Sequence, residues 1–170
     1  ERQASGTLYR LHADMSLVAI DQGYRVTNGP AFSPDGSRMY ENDSALQVTY
    51  VFDIDQAGNV ANRRLFARYG RGDGYPDGMT VDADGCLWIA FWDGWCVRRF
   101  SPGGELLATI ELPVQRPTSC ALGGAGLDRL FVTSASRDLE GTELARQPLA
   151  GGLFAVGVGV HGIAELPFAG

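Results

Sequence analysis

Hydrophobic and polar residues alternate in short runs along most of the chain. In the stretch 106–112, Leu106, Ala108, Ile110 and Leu112 hold a period of two against Leu107, Thr109 and Glu111, the spacing of a β-strand. Comparable runs lie at 47–54, 60–66, 86–92 and 96–100. Turn residues separate them: Asp35-Gly36, Gly58, Asp84-Gly85, Asp93-Gly94 and Pro102-Gly103-Gly104. The segment 86–96 reads as a hairpin turning at Asp93-Gly94, with Trp92 facing Trp95 and Phe91 facing Cys96. The one helical candidate is short, 138–146. The pattern predicts an all-β protein.

The turns repeat. Asn28-Gly-Pro-Ala-Phe-Ser-Pro-Asp-Gly36 leads to Tyr40, and Asp77-Gly-Met-Thr-Val-Asp-Ala-Asp-Gly85 leads to Trp88; a weaker copy runs from Ser119 through Gly123-Gly124 to Phe131. Each copy continues into a second strand pair. Four strands per unit, at starts 49 and 42 residues apart, is the pattern of β-propeller blades. A sandwich also has short, evenly spaced strands, but the recurring Asn/Asp-Gly start favours the propeller. The expected units are 1–27 (the outer part of a blade), 28–76, 77–118, and 119–170, whose last strand falls near 162–166. Together they form a single partial propeller domain of about three and a half blades of four-stranded antiparallel sheet.

Composition agrees and narrows the partners. Gly contributes 23 of 170 residues and 45% of the chain is hydrophobic, which argues against both a helical bundle and disorder. Much of the glycine is expected in blade turns, at Gly29, Gly36, Gly78, Gly85 and Gly94. The net charge is −6, every basic residue is Arg, and there is no basic run. Neither a nucleic-acid nor an anionic-membrane partner is therefore expected. No apolar stretch approaches the length of a membrane span, and no secretory leader is visible. Cys86, Cys96 and Cys120 form no CxxC pair and read as buried small hydrophobes. A reducing, cytoplasmic setting is expected.

Position one of each repeat points toward the propeller axis from successive blades. It is Asn28, then Asp77, then Ser119. Amide and carboxylate oxygens converging on one axis suit a hard cation such as Ca²⁺ or Mg²⁺, although Asn-Gly and Asp-Gly are also ordinary turn dipeptides. Trp88 repeats the aromatic of Tyr40 and Phe131 and reads as core. Trp92 and Trp95, at the Asp93-Gly94 turn, reach a substrate only if that turn lies at a propeller face. No Gly-x-Ser-x-Gly elbow or phosphate loop is present.

Asn28-Gly29 with Ser33-Pro-Asp-Gly36 and Asp43-Ser44, Pro76-Asp-Gly-Met79 with Asp82-Ala-Asp-Gly85-Cys-Leu-Trp88, Arg116-Pro-Thr-Ser-Cys120, and Arg146-Gln-Pro-Leu-Ala-Gly-Gly-Leu-Phe154 occur in this order. Together they resemble the regucalcin family, also called senescence marker protein or gluconolactonase-like. The resemblance implies a six-bladed β-propeller holding one divalent metal, Ca²⁺ or Zn²⁺ with Mg²⁺ or Mn²⁺ open, and hydrolysis of a sugar lactone. It implies that Asn28 and Asp77 are metal ligands and that Asp77 is also the catalytic acid/base. Asp43 reads as orienting the channel wall or a turn, and Ser119 receives no role. Family residues that supply a glutamate ligand and hold the sugar precede the point matching Glu1. On that reading this chain alone is incomplete and inactive. A non-catalytic Ca²⁺-binding regulatory protein is the alternative.

Overall fold

A computed structural model describes residues 3–164. The alternating runs form antiparallel meanders. Strands β1 (Gly6–Leu11) and β2 (Leu17–Tyr24) pair as a two-stranded sheet. A second sheet has the order β3 (Thr27–Phe32), β4 (Arg38–Asp43), β5 (Val48–Ile54), β6 (Val60–Arg68). A third follows as β7 (Tyr75–Val81), β8 (Leu87–Trp92), β9 (Cys96–Phe100), β10 (Leu106–Glu111). The fourth comprises β11 (Pro117–Gly123), β12 (Arg129–Ser134) and β13 (Leu153–Gly157). The inner strands of neighbouring sheets touch, with β7 between β3 and β11. This is the arrangement of consecutive propeller blades, and the all-β expectation holds.

The second strand of each full sheet, β4 and β8, is buried on both faces, so its period of two divides one strand between two cores. Met39 faces back to Tyr24 and Phe52, whereas its neighbour Tyr40 faces forward to Met79, Leu87, Ile89 and Phe91. Leu87, Ile89 and Phe91 face back, while Trp88 and Ala90 face forward to Cys120, Leu130 and Val132. Tyr40 and Trp88 thus hold the same post in successive blades. Edge-to-face aromatic contacts join the second and third sheets, Phe66–Phe100 at 6.5 Å and Tyr69–Phe91 at 4.9 Å, geometry that adds to simple burial.

The second turn of each repeat is pinned by side chains. Asp35 accepts from Ser33 Oγ at 2.6 Å and from the Ser37 amide at 3.0 Å. In the next blade the fully buried Asp82 accepts from the Asp84 and Cys86 amides (3.0 and 2.9 Å), from Trp88 Nε1 (2.9 Å) and from Arg99 Nε (2.8 Å). Four donors, one of them a guanidinium, compensate its desolvation.

Several local expectations change. The helix is shorter than 138–146: α1 covers Gly141–Arg146, because Asp138 has φ +57° and cannot lie in a right-handed helix. Phe91 does pair with Cys96, but Trp95 does not stand opposite Trp92, since it belongs to the turn itself at φ +59°. The strand expected near 162–166 is absent up to Ala164, and its remainder lies outside the described residues. There the chain folds over a turn instead, with the Gly162 amide donating to Leu127 O at 2.7 Å and the Ala83 amide to His161 O at 2.8 Å. All three cysteines are free and buried. No helix among the described residues is long and apolar enough to cross a membrane.

Asp82→Ala leaves Arg99 and the Trp88 indole N–H without their buried acceptor. It is expected to lower stability by about 3–5 kcal/mol, read as a fall in the urea midpoint at unchanged slope.

A candidate active-site cleft between the inner strands

Asn28 and Asp77 do not sit in turns. Both lie within inner strands, at places where the register slips: between Asn28 and Ala31 against β4, and between Pro76 and Met79 against β8. A third slip, between Pro117 and Ser119, marks β11. Asn-Gly and Asp-Gly are therefore bulge signals here, and Gly29 and Gly78 are bulge rather than turn glycines. Bulges re-aim side chains. Gly78 meets a second demand, because a Cβ there would stand 2.2 Å from Ser119 Oγ and 2.8 Å from Ser119 Cα. The next blade packs onto bare backbone beside Asp77.

The structure brings Asn28 and Asp77 to one cleft of about 420 Å³, whose walls include Ser44, Tyr75, Trp92 and Arg137. Ser119 is not among its lining residues; its side chain packs against Gly78. Asn28 Nδ2 donates to Ser44 Oγ at 2.8 Å. Burial pushes the Asp77 carboxyl up to about 6, with the Gly78 amide as the opposing influence. Arg116 stands 4.9 Å over the Trp92 ring and is fixed by Asp93 at 2.7 Å; of the residues at this turn Trp92 lines the cleft, and Asp93, Gly94 and Trp95 do not. Trp88 is core, as its spacing suggested. Asp43 is a clasp: its carboxylate accepts from the Arg25, Val26 and Leu46 amides, tying the entry of β3 to the 3-10 turn Ser44–Leu46.

Sequence pattern missed three buried residues. Glu41, Asn42 and Ser44 follow Tyr40 in a run that reads as polar, yet Glu41 and Asn42 are at most 2% exposed. Asn42 Nδ2 donates to Asp77 O at 2.7 Å, and Ser44 Oγ donates to Pro76 O. Glu41 Oε2 has no hydrogen-bond partner among the described residues and lies 3.2 Å from where a Cβ on Gly29 would be. Burial, with the Asp21 charge adding to it, pushes the Glu41 carboxyl up to about 8. The one available signal was the persistence of polar residues on both alternating positions of a strand between two cores.

With this geometry in hand, the chain shows itself to be a blade segment of a propeller with polar groups gathered beside the inner strands. The family model described as SMP-30/Gluconolactonase/LRE-like region matches residues 1–136, and the chain belongs to that family. It is 43% identical over 170 residues to an L-arabinolactonase of Azospirillum brasilense, covering 99% of this chain and 56% of that protein. It is 40% identical over 166 residues to a 6-deoxy-6-sulfogluconolactonase of Pseudomonas putida, covering 97% and 57%. Among solved structures, a calcium-binding protein, regucalcin, from Agrobacterium tumefaciens superposes with a TM-score of 0.90 at 27% identity over 96% of this chain and 56% of that one. The chain thus spans little more than half the length of the curated relatives it matches.

Glu41 carries a pH dependence. Its folded pKa lies above its unfolded value, so its contribution is full below about 4.5 and is lost as pH rises through about 8. Wild-type stability is expected to fall across that window, and Glu41→Gln to flatten the slope, in urea titrations at about pH 5 and about pH 9. An unchanged slope in the variant would show that Glu41 is not the titrating group.

Proposed function

We propose that the protein carrying this chain hydrolyses a sugar lactone with the help of one divalent cation, and that Asn28 and Asp77 are this segment's contribution to the site. The observation that carries the reading is the placement of these two residues at matching bulges of adjacent inner strands, lining one cleft. The lactonase names of two relatives that are 40% and 43% identical support it.

The donor chemistry fits a hard cation. The Asn28 nitrogen is taken up by Ser44, which leaves Oδ1 as its free polar atom. The Asp77 carboxyl is disfavoured as an anion by burial, and a positive charge beside it relieves that penalty. Neither histidine nor any cysteine lines the cleft. An all-oxygen pair favours Ca²⁺, Mg²⁺ or Mn²⁺ over Zn²⁺. Among the described residues no three His, Cys, Asp or Glu side chains form a ligand group, so the remaining oxygens come from solvent, substrate or other parts of the protein.

A cation held by Asn28 and Asp77 supplies Lewis-acid polarisation of an ester carbonyl. Asp77 acts as the proton-transfer group. Its carboxylate takes a proton from the attacking water as the new C–O bond forms, and returns it to the ring oxygen as the lactone C–O bond breaks. The products are one hydroxyl and one carboxylic acid. Trp92 and Tyr75 offer apolar surface for a sugar ring, and Arg137 stands at the wall as a cation. A non-catalytic Ca²⁺-binding role is the second reading, since the same oxygen pair serves it equally.

On a panel of aldonolactones, Asp77→Ala in the full-length protein is expected to lower kcat by at least about 100-fold. Chelation of divalent metal is expected to abolish turnover and its readdition to restore it. Undiminished hydrolysis by the variant would falsify the proton-transfer role. Ca²⁺ binding by calorimetry with no turnover on any lactone would establish the second reading.

A further inference from the structure

Proton bookkeeping across the boundary between the second and third sheets assigns a direction to every hydrogen bond behind the cleft. The Pro76 carbonyl has no proton, so Ser44 Oγ must donate to it. With its one proton committed, Ser44 meets Asn28 only through a lone pair, and the Asn28 amide must present Nδ2 to it, as it does at 2.8 Å. Oδ1 is thereby turned away from Ser44. A second rung follows the same logic. Asp77 O accepts from Asn42 Nδ2 at 2.7 Å, Asn42 Oδ1 accepts from Thr49 Oγ1 at 2.6 Å, and Thr49 must then accept from the Tyr69 hydroxyl at 2.7 Å. Asn42 and Thr49 are fully buried and Tyr69 nearly so, so no water competes for these polarities. Both rungs end on consecutive carbonyls of β7, at its bulge.

We propose that Ser44 is a positioning residue that sets the amide polarity of Asn28, so that Asn28 faces the cleft as an oxygen donor. This rests on the reading of Asn28 as a cation ligand. The instruction originates in the neighbouring blade: the Pro76 carbonyl fixes the Ser44 proton, and Ser44 fixes the amide. Without the hydroxyl, Asn28 is free to turn its NH₂ toward the cleft, where it repels a cation. The second rung ties the adjacent Asp77 carbonyl to the same sheet as Ser44.

Cation affinity tests this without any lactone present. The full-length protein is titrated with Ca²⁺ and, separately, with Mn²⁺ by calorimetry. Ser44→Ala is expected to weaken binding about tenfold, the scale of lost outer hydrogen bonds at metal sites, and Ser44→Thr, which keeps the hydroxyl, to retain most of it. In an Asn28→Asp background either oxygen can face the cleft. There, Ser44→Ala is expected to change affinity less than about twofold. An unchanged affinity in Ser44→Ala, or an equal loss in both backgrounds, overturns the assignment. So does a wild type that binds neither cation, which also removes the metal-site reading. A wild type that binds cations but leaves lactones intact removes only the hydrolase reading, and the affinity comparison still decides. Should Ser44→Ala fail to fold, Ser44→Cys provides the comparison; its weak S–H donor is expected to give an intermediate loss, and wild-type affinity would overturn the proposal.

Discussion

Backbone carbonyls that leave a β-ladder inside a protein must find donors elsewhere. In this chain that requirement falls at the β7 bulge, where the Pro76 and Asp77 carbonyls receive side-chain hydrogen bonds from the neighbouring sheet. The bulge lets Asp77 point out of the strand, and the same bulge demands Ser44 and Asn42 behind it. A polar network is thus built into a boundary whose remaining contacts are largely apolar. Gly78 completes the constraint from the other side, since Ser119 of the following blade occupies the space of its missing Cβ. Three consecutive sheets therefore fix one carboxylate.

Turn chemistry carried most of the architecture. Asp35-Gly36 and Asp84-Gly85 close hairpins as their dipeptides suggest, and Tyr40 and Trp88 mark the same post in successive blades because each pairs with the residue three beyond the start of its repeat, Ala31 and Thr80. The pair Asn28 and Asp77 was legible for a related reason: they recur at one offset from those turns. Their conformation was not legible. Asn-Gly is compatible with a turn and with a bulge, and only pairing across β4 and β8 decides between them.

The rest of the cleft was hidden by its origin in other blades. Ser44 follows β4 of one sheet, Trp92 ends β8 of the next, and Arg137 follows β12 of the fourth. No spacing rule within a repeat links them. Glu41 and Asn42 were hidden differently. Alternation treats a polar residue as solvent-facing, but a strand between two cores has no solvent face, so polarity there means a buried network or an unmet group. Asn42 is the first case and Glu41 Oε2 the second.

The buried cysteines give this architecture its own internal reporters. Cys96 belongs to the core between the second and third sheets, Cys120 to the core between the third and fourth. Burial pushes the Cys120 thiol up to about 12, far from the thiolate that reacts with alkylating reagents. Modification of either sulfur must wait for its own boundary to part. The rate at which each thiol is labelled is thus a clock for one seam of the molecule, and the two clocks can be read in the same sample without introducing a foreign probe.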